Sequence, residues 1–170
     1  MAITIQQRVV DLDPANAEES NTLALYSEAI FGRGAGLGAF EQSYNSSPDD
    51  LAIAMRFGRA AVKGGEYAKA IEPLTKVLNA EKTKEALLLR AEAYENLNQM
   101  SNSINDYKAV LDLDPDNADV MLNISLAYSD LHNYDNASYW INRALQAKPG
   151  YGLAYIVRGE LYEKAVLYCQ

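Results

Sequence analysis

Small side chains recur at matched positions along the chain, with a period of about 34 residues. When Ala118 is counted as the first place of one copy, other copies begin near residues 17, 51, 84 and 152. Small residues fill the eighth and twentieth places of these copies, namely Ala24, Gly58, Ala91, Ser125, Gly159, Gly36, Ala70, Ser103 and Ala137. Because side chains at the contact set how closely two helices approach, each copy is predicted to be an antiparallel helix pair.

Apolar residues inside each copy keep the spacing of a helix rather than that of a strand. In the copy near residues 118–151, one apolar stripe begins at Met121 and a second at Tyr134, as expected for two amphipathic helices joined by a polar turn. Thr83 and Ser101 are expected to cap the helices that follow them, because a side-chain oxygen can accept from the free N–H groups of a first turn. These signals predict repeats near residues 17–50, 51–83, 84–117 and 118–151.

Partial copies lie on both sides of these repeats. Residues 3–12, followed by Asp13 and Pro14, match residues 109–115 and are expected to be a second helix whose first helix is missing. Residues 152–168 match a first helix, and their copy of the turn has none of the usual turn residues, so the helix is expected to run straight on. Two interpretations stay open, a closing helix that covers the last core or a truncated repeat. The whole chain, 1–170, is interpreted as a single domain and as a fragment of a longer protein.

The pattern resembles the tetratricopeptide repeat, whose period is 34 residues, and the resemblance covers nearly the whole chain. It departs from the family at several places: no copy has Trp at the fourth place, Arg90 and Arg158 replace apolar residues at the seventh, and the first copy has Ser20 and Ser27 at packing places. The resemblance implies an all-α fold, a right-handed solenoid of antiparallel helix pairs. It also implies about four to five repeats, with partial repeats at both ends.

Charge and composition exclude several classes of partner. The chain is 49% hydrophobic and 22% charged, with a formal net charge of −8. An acidic surface argues against nucleic acid, because phosphate binding needs clustered Lys and Arg, and it argues equally against an anionic membrane. No apolar run approaches the ~20 residues that a membrane helix needs, so no direct membrane insertion is expected. A soluble protein of the cytoplasm or periplasm fits, and the sequence does not decide between them.

Residues that carry catalysis are scarce. His132 is the single histidine and Cys169 the single cysteine, so neither a multi-histidine metal site nor an intramolecular disulfide can form. The glycine-rich stretch 32–38 is expected to be a turn, because no Gly-Lys-Ser/Thr follows it and no strand precedes it. We therefore expect no catalytic residue, no metal, no cofactor and no enzyme activity.

The resemblance also predicts a binding surface, because the second, fifth, ninth and twelfth places of first helices line the concave groove in this family. The fifth place holds four apolar residues in register: Met55, Leu88, Leu122 and Ile156. The predicted peptide-binding groove contains these and five neighbours, Arg59, Glu92, Asn123, Leu126 and Glu160. Acidic residues dominate its rim, Glu95 and Asp130 among them. An alternative stays open, that fifth-place residues simply pack between neighbouring first helices.

These observations predict a non-catalytic scaffold for protein–protein interaction. Its groove is expected to hold a peptide or helix that carries apolar anchors beside basic residues. One alternative is an accessory domain of a larger protein, possibly an enzyme. Another is a self-assembling scaffold whose groove and exposed ends bind other copies. The sequence does not identify the partner.

Overall fold

The computed structural model describes residues 17–31 and 36–168, and these residues form α-helices joined by short turns. The helices are α1 (Ala17–Phe31), α2 (Leu37–Ser46), α3 (Leu51–Lys63), α4 (Tyr67–Ala80), α5 (Lys84–Asn96), α6 (Met100–Leu113), α7 (Ala118–Asp130), α8 (Tyr134–Ala147) and α9 (Gly152–Tyr168). The expected all-α fold of antiparallel helix pairs is confirmed. The second helix expected at residues 3–12, most of the glycine-rich stretch and Cys169 lie outside the described residues.

The chain divides into two compact units, one up to Ala93 and one from Tyr94 onward. In the first unit, α1 packs on α2, α2 on α3, and α3 on α4. In the second unit, α6 packs on α7, α7 packs on α8 and α9, and α8 packs on α9. Within each unit, the helices of these pairs, α7 and α9 apart, are neighbours both in sequence and in space, which is how a helical repeat buries its apolar faces.

Side-chain caps fix the starts of several helices. Asp50 accepts from the backbone N–H groups of the second and third residues of α3, at 2.8 and 3.1 Å. Thr83 caps α5 as predicted, with its hydroxyl 3.3 Å from the N–H of Ala86, and Asn117 caps α7 in the same manner at 3.1 Å. The expectation for Ser101 is wrong, because α6 begins at Met100, two residues before the predicted start at Asn102, and has no side-chain cap.

The turns between paired helices share one backbone geometry. The fifteenth place of three copies is left-handed, with φ of 79° at Gly65 and 56° at both Asn98 and His132. The N–H group of the next residue in each turn then bonds to the carbonyl group five residues back, at 2.8 to 2.9 Å. This arrangement satisfies carbonyl groups at the helix end, and it reverses the chain so that the second helix packs on the first.

The small places lie where paired helices cross, as predicted. The hydroxyl group of Ser125, at the eighth place, donates to the carbonyl of Ala137, at the twentieth, over 2.8 Å. A Cβ atom added at Gly36 would lie 2.4 Å from the carbonyl oxygen of Ala24. One added at Gly58 would lie 2.6 Å from Leu74 Cγ. Larger residues at these places would force the helices apart.

Helix α9 differs from the other first helices in length. It has 17 residues, whereas α3, α5 and α7 each have 13. Val166 stands at its fifteenth place and stays helical, because a β-branched residue does not adopt the left-handed conformation that the turn requires. The expectation that this helix runs straight on is confirmed.

Candidate functional site

The first unit contains four of the predicted groove residues. Met55, Arg59 and Leu88 are half-buried. The guanidinium group of Arg59 on α3 forms an ion pair with Glu85 on α5, with Nη2 2.7 Å from Oε1. Its Nε atom is buried and has no hydrogen-bond partner. Arg59 therefore links two first helices of its own unit through one end of its guanidinium group.

Glu92, the fourth of these residues, lies on α5 and is exposed. Partial desolvation of its carboxyl group nevertheless raises its pKa, because a low-dielectric neighbourhood disfavours the charged form. The side chain also has an interaction partner in the fold. Glu92 is thus a carboxyl group that is partly shielded from water at the surface.

Leu122 does not reach the surface. It is 3% exposed and belongs to a core cluster with Ile141 and Leu145 of α8. Ala154, Val157 and Leu161 of α9 close the same cluster. At this copy the fifth-place side chain therefore packs between neighbouring helices, the alternative that the sequence left open, and Leu122 is not available to a ligand.

Ile156 has the same place in its copy and the opposite environment. Its side chain is 62% exposed on α9, and Glu160 beside it is exposed too. Among the described residues nothing covers Ile156 as α9 covers Leu122. The same place of the repeat is thus buried or exposed according to whether another helix follows.

Asn123 and Leu126 line a cavity of about 340 Å³ in the second unit. The cavity lies between the end of α5, the start of α6 and one face of α7. Its lining residues are Glu95, Asn96, Met100, Asn123, Leu126, Ala127 and Asp130. We call this site the acidic cavity, because its charged lining residues, Glu95 and Asp130, are both carboxylates.

The acidic cavity has both apolar and polar lining residues. Leu126 is 39% exposed, an open position for a large apolar side chain, and Met100 is half-buried beside buried Ala127. The hydroxyl group of Tyr107 donates to Glu95 Oε2 over 3.1 Å, which holds that carboxylate in place from the core side. Asp130 is exposed at the end of α7.

The acidic cavity shares residues with the groove predicted from the sequence. Among its lining residues, Asn123 and Leu126 belong to the predicted peptide-binding groove, and Glu95 and Asp130 belong to the predicted acidic rim. Sequence reasoning missed Met100, because the expected cap at Ser101 left Met100 in a turn rather than in the first turn of α6. The signal that could have found Met100 is its apolar side chain, which stands next to residues that were predicted to form a polar turn.

A second, smaller cavity of about 290 Å³ lies on the second helices of the same unit and was not predicted. Its lining residues are Lys108, Leu111, Asp112, Pro115, Trp140 and Arg143. The Arg143 guanidinium lies over the Trp140 ring, 5.1 Å from its centroid. Both signs of charge line this cavity, so it shows no simple preference for a ligand.

His132 is part of a turn. Its backbone is left-handed, and its Nδ1 atom lies 3.1 Å from the hydroxyl group of Tyr134. Within the described part of the chain, no group of three His, Cys, Asp or Glu residues could hold a metal ion. The same residues include no helix that is long and apolar enough to cross a membrane.

Comparisons with known proteins agree with this architecture. A family model described as the tetratricopeptide repeat matches residues 88–152. Sperm-associated antigen 1 of Rattus norvegicus is 30% identical to this chain over 97 residues. The alignment covers 57% of this chain and 11% of that protein, so the chain spans a small part of the relative's length.

Solved structures of MamA have a similar fold. A crystal structure of MamA has a TM-score of 0.74 at 21% identity and covers 88% of this chain and 84% of that one. MamA MSR-1 gives 0.76 at 22% identity, covering 87% and 86%. MamA from Desulfovibrio magneticus RS-1 gives 0.70 at 15% identity, covering 89% and 86%. At these identities the likeness concerns the fold, and the match to the tetratricopeptide repeat model covers residues 88–152 of the chain.

Proposed function

We propose that this protein-interaction scaffold binds a peptide or helix in the acidic cavity, and that the ligand presents an apolar anchor beside Lys or Arg. The observation that carries the proposal is the composition of the cavity wall. The lining contains two carboxylates, of Glu95 and Asp130, together with the apolar side chains of Leu126, Met100 and Ala127. A cationic side chain finds opposite charge there, and an apolar side chain finds a surface that excludes water.

The two parts of the cavity have different roles in binding. Burial of the apolar anchor on Leu126 supplies most of the affinity, since buried anchors dominate interface energetics. Glu95 and Asp130 mainly raise the association rate and select for basic ligands. Asn123, a half-buried residue of the same lining, has an amide group that can bond to the backbone of an extended peptide.

The groove proposed here is smaller than the one drawn from the repeat pattern. Leu122 is excluded by its burial, and Arg59 is engaged by Glu85. Asn123 and Leu126 are retained, and Glu95, Met100 and Asp130 are added. The function supported best is therefore a non-catalytic interaction module with a local site in the second unit.

A second candidate function is an accessory domain of a larger protein. The observation that favours it is the length of sperm-associated antigen 1, because the part of that protein that aligns with this chain is 11% of its length. The acidic cavity would then bind a segment of the same polypeptide or of its partner. Both candidates use the same chemistry of recognition.

Selection from a random peptide library on the immobilised chain tests the proposal. We expect the selected peptides to be enriched in Lys or Arg next to Leu, Ile, Phe or Met. They should bind Leu126→Asp at least about tenfold more weakly, a loss of about 1.4 kcal/mol, while helicity is unchanged because Leu126 is partly exposed.

The matched control is Leu131→Asp. Leu131 is similarly exposed, at 45%, and lies in the turn after α7, outside the acidic cavity. It should retain wild-type affinity. Selected peptides that are rich in Asp and Glu, or that bind Leu126→Asp as well as they bind wild type, would show that the cavity is not the site.

A further inference from the structure

Helix α8 presents two aromatic residues and an arginine at the surface of the second unit. Tyr139 is 56% exposed, and its ring meets the ring of half-buried Trp140 edge-on, with centroids 5.4 Å apart. The Arg143 guanidinium lies over the Trp140 ring, 5.1 Å from its centroid. Tyr139 and Arg143 stand four residues apart, so they lie on one face of the helix. We call these three residues the α8 patch.

The α8 patch differs in charge from the chain as a whole. The chain has a formal net charge of −8, yet residues 136–148 contain no carboxylate and two bases, Arg143 and Lys148. Asp112 lines the neighbouring cavity together with Arg143, but it belongs to α6 and not to α8. The patch is therefore a basic region on an acidic protein.

The residue types of the α8 patch are those that dominate binding energy at protein interfaces. Trp, Tyr and Arg are the types most enriched among the hot-spot residues of such interfaces. The core contacts of α8 are made by other residues, namely Ala137, Ile141 and Leu145. The fold thus has a core without the patch, which leaves the patch available to a partner.

The α8 patch also matches the ligand described for the acidic cavity. That ligand presents an apolar anchor beside Lys or Arg, and Tyr139 with Arg143 has this composition on one helix face. Two other bases, Arg59 and Lys148, are already paired with carboxylates. Arg143 contacts an aromatic ring instead, so its N–H groups can donate to carboxylates of a partner.

The α8 patch cannot reach the acidic cavity of its own copy. Helix α8 packs on α7 through Ile141 and through Ala137, whose carbonyl accepts from Ser125 over 2.8 Å. Tyr139 stands two residues from each of these, about 200° around the helix, so it points away from α7. Because α7 lines the acidic cavity, a patch that enters this cavity must belong to another molecule.

We propose that the acidic cavity of one copy binds the α8 patch of a second copy. This inference rests on the proposed function and names its partner. Arg143 of the second copy pairs with the carboxylates of Glu95 and Asp130, and Tyr139 covers Leu126, as a helix binds in a groove. The contact is heterologous, because it joins two different surfaces, so further copies can add at each end.

Trp140 reports on this contact, because it is the single tryptophan of the chain. Sedimentation and tryptophan fluorescence of the 170-residue chain are measured from about 1 μM to about 1 mM. We expect the mass to rise from that of one copy, 18.7 kDa. The emission should move to shorter wavelength as water is excluded from the ring. Both changes should be larger at about 0.05 M salt than at about 0.3 M, because salt screens the charge pairing.

Two matched variants locate the basic side of the contact. Arg143→Glu should remain a monomer of unchanged helicity, because it places like charges together and lies outside the core. Arg158→Glu is the control, since Arg158 on α9 is also half-buried and lies over an aromatic ring, that of Tyr155, at the same 5.1 Å. It changes the net charge equally and should associate like wild type.

A mixing experiment tests the pairing of the two surfaces. Leu126→Asp should also remain a monomer, because it blocks the acidic cavity. Each blocked variant retains the surface that its counterpart lacks. An equimolar mixture of Leu126→Asp and Arg143→Glu should therefore form a dimer of twice 18.7 kDa and no larger species.

Three results would overturn the inference. The wild-type chain could stay monomeric over the whole range of concentration. Arg143→Glu or Leu126→Asp could associate as wild type does, which would move the contact to another surface. Finally, the mixture could contain monomers alone. If library-selected peptides still bind wild type and not Leu126→Asp, each of these results overturns the second copy as partner and leaves the proposed function in place.

Discussion

Residues at the eighth place of the repeat show how one side chain sets the approach of two helices. Ser125 fits because its hydroxyl group bonds across the crossing to the carbonyl of Ala137. Gly58 fits because the side chain of Leu74, which is 0% exposed, occupies the space where its Cβ atom would lie. Gly159 has the same place but no atom within 4 Å of its missing Cβ, because none of the described helices covers that face of α9.

The contrast between Gly58 and Gly159 gives a matched prediction. Gly58→Leu should destabilise the chain by about 1–3 kcal/mol or more, because it overpacks a closed crossing. Gly159→Leu should be neutral or stabilise by up to about 1 kcal/mol, because leucine favours an exposed helix more than glycine does. Urea unfolding at low protein concentration measures both. Equal midpoints for the two variants would contradict the assigned register.

The sequence predicts the environment of a residue well at those places of the repeat that have the same environment in every copy. The eighth and twentieth places are of this kind, since their small size is required by the crossing. The fifth place is not, because Leu122 is covered by the next first helix whereas Ile156 is uncovered. The left-handed fifteenth place was visible at Gly65 and hidden at His132, where a bulkier residue adopts the same turn.

At the scale of the elements, one tyrosine joins three helices of the first unit. The ring of Tyr44 on α2 stacks on Phe57 of α3, with centroids 5.4 Å apart. Its hydroxyl group donates to Glu72 Oε1 of α4 over 2.7 Å. Burial, followed by the hydrogen bond to Glu72 and the charge of that carboxylate, raises the pKa of Tyr44 above its usual range.

This shift predicts a loss of stability in alkali. The folded state holds the phenol proton more tightly than the unfolded state, so the contribution is complete below the unfolded pKa of about 10 and is lost as the pH rises above it. Between about pH 8 and about pH 11, wild type should therefore lose more unfolding free energy than Tyr44→Phe. Urea unfolding at both pH values measures the difference.

Tyr139→Phe is the control for this experiment, since Tyr139 is an exposed tyrosine of α8. The unfolding free energy of Tyr139→Phe should fall with pH as that of wild type does. Tyr44→Phe should start lower at neutral pH, because it loses a hydrogen bond to a charged acceptor, worth about 1.5–3 kcal/mol. Parallel declines for wild type and Tyr44→Phe would contradict the linkage.

Helix number and order followed from periodicity, and helix starts were less certain. Thr83 caps α5 as a threonine should, whereas α6 begins without a side-chain cap. A start of that kind leaves no local signature, because tertiary packing stabilises the first turn instead. The missed start at Met100 carried over into the site, since this residue lines the acidic cavity.

For the whole molecule, the net charge of −8 favours basic partners. A surface with an excess of one charge raises the local concentration of oppositely charged ligands and speeds their association. This general attraction does not by itself determine where on the surface a ligand binds. The acidic cavity would do so, because it adds Leu126 and a defined pair of carboxylates to the general attraction.

The binding of a library-selected peptide at two salt concentrations, about 0.05 M and about 0.3 M, tests this central claim most directly. The comparison is between Asp130→Lys, in the cavity, and Asp116→Lys, an exposed turn residue outside it, which change the net charge equally. We expect Asp130→Lys to fold normally, since a cation suits a helix end, and to bind at least about tenfold more weakly at low salt, a loss of about 1.4 kcal/mol. Its loss should shrink at high salt as charges are screened, while Asp116→Lys stays near wild type. Equal binding by the two variants at both salt concentrations would contradict recognition in the acidic cavity.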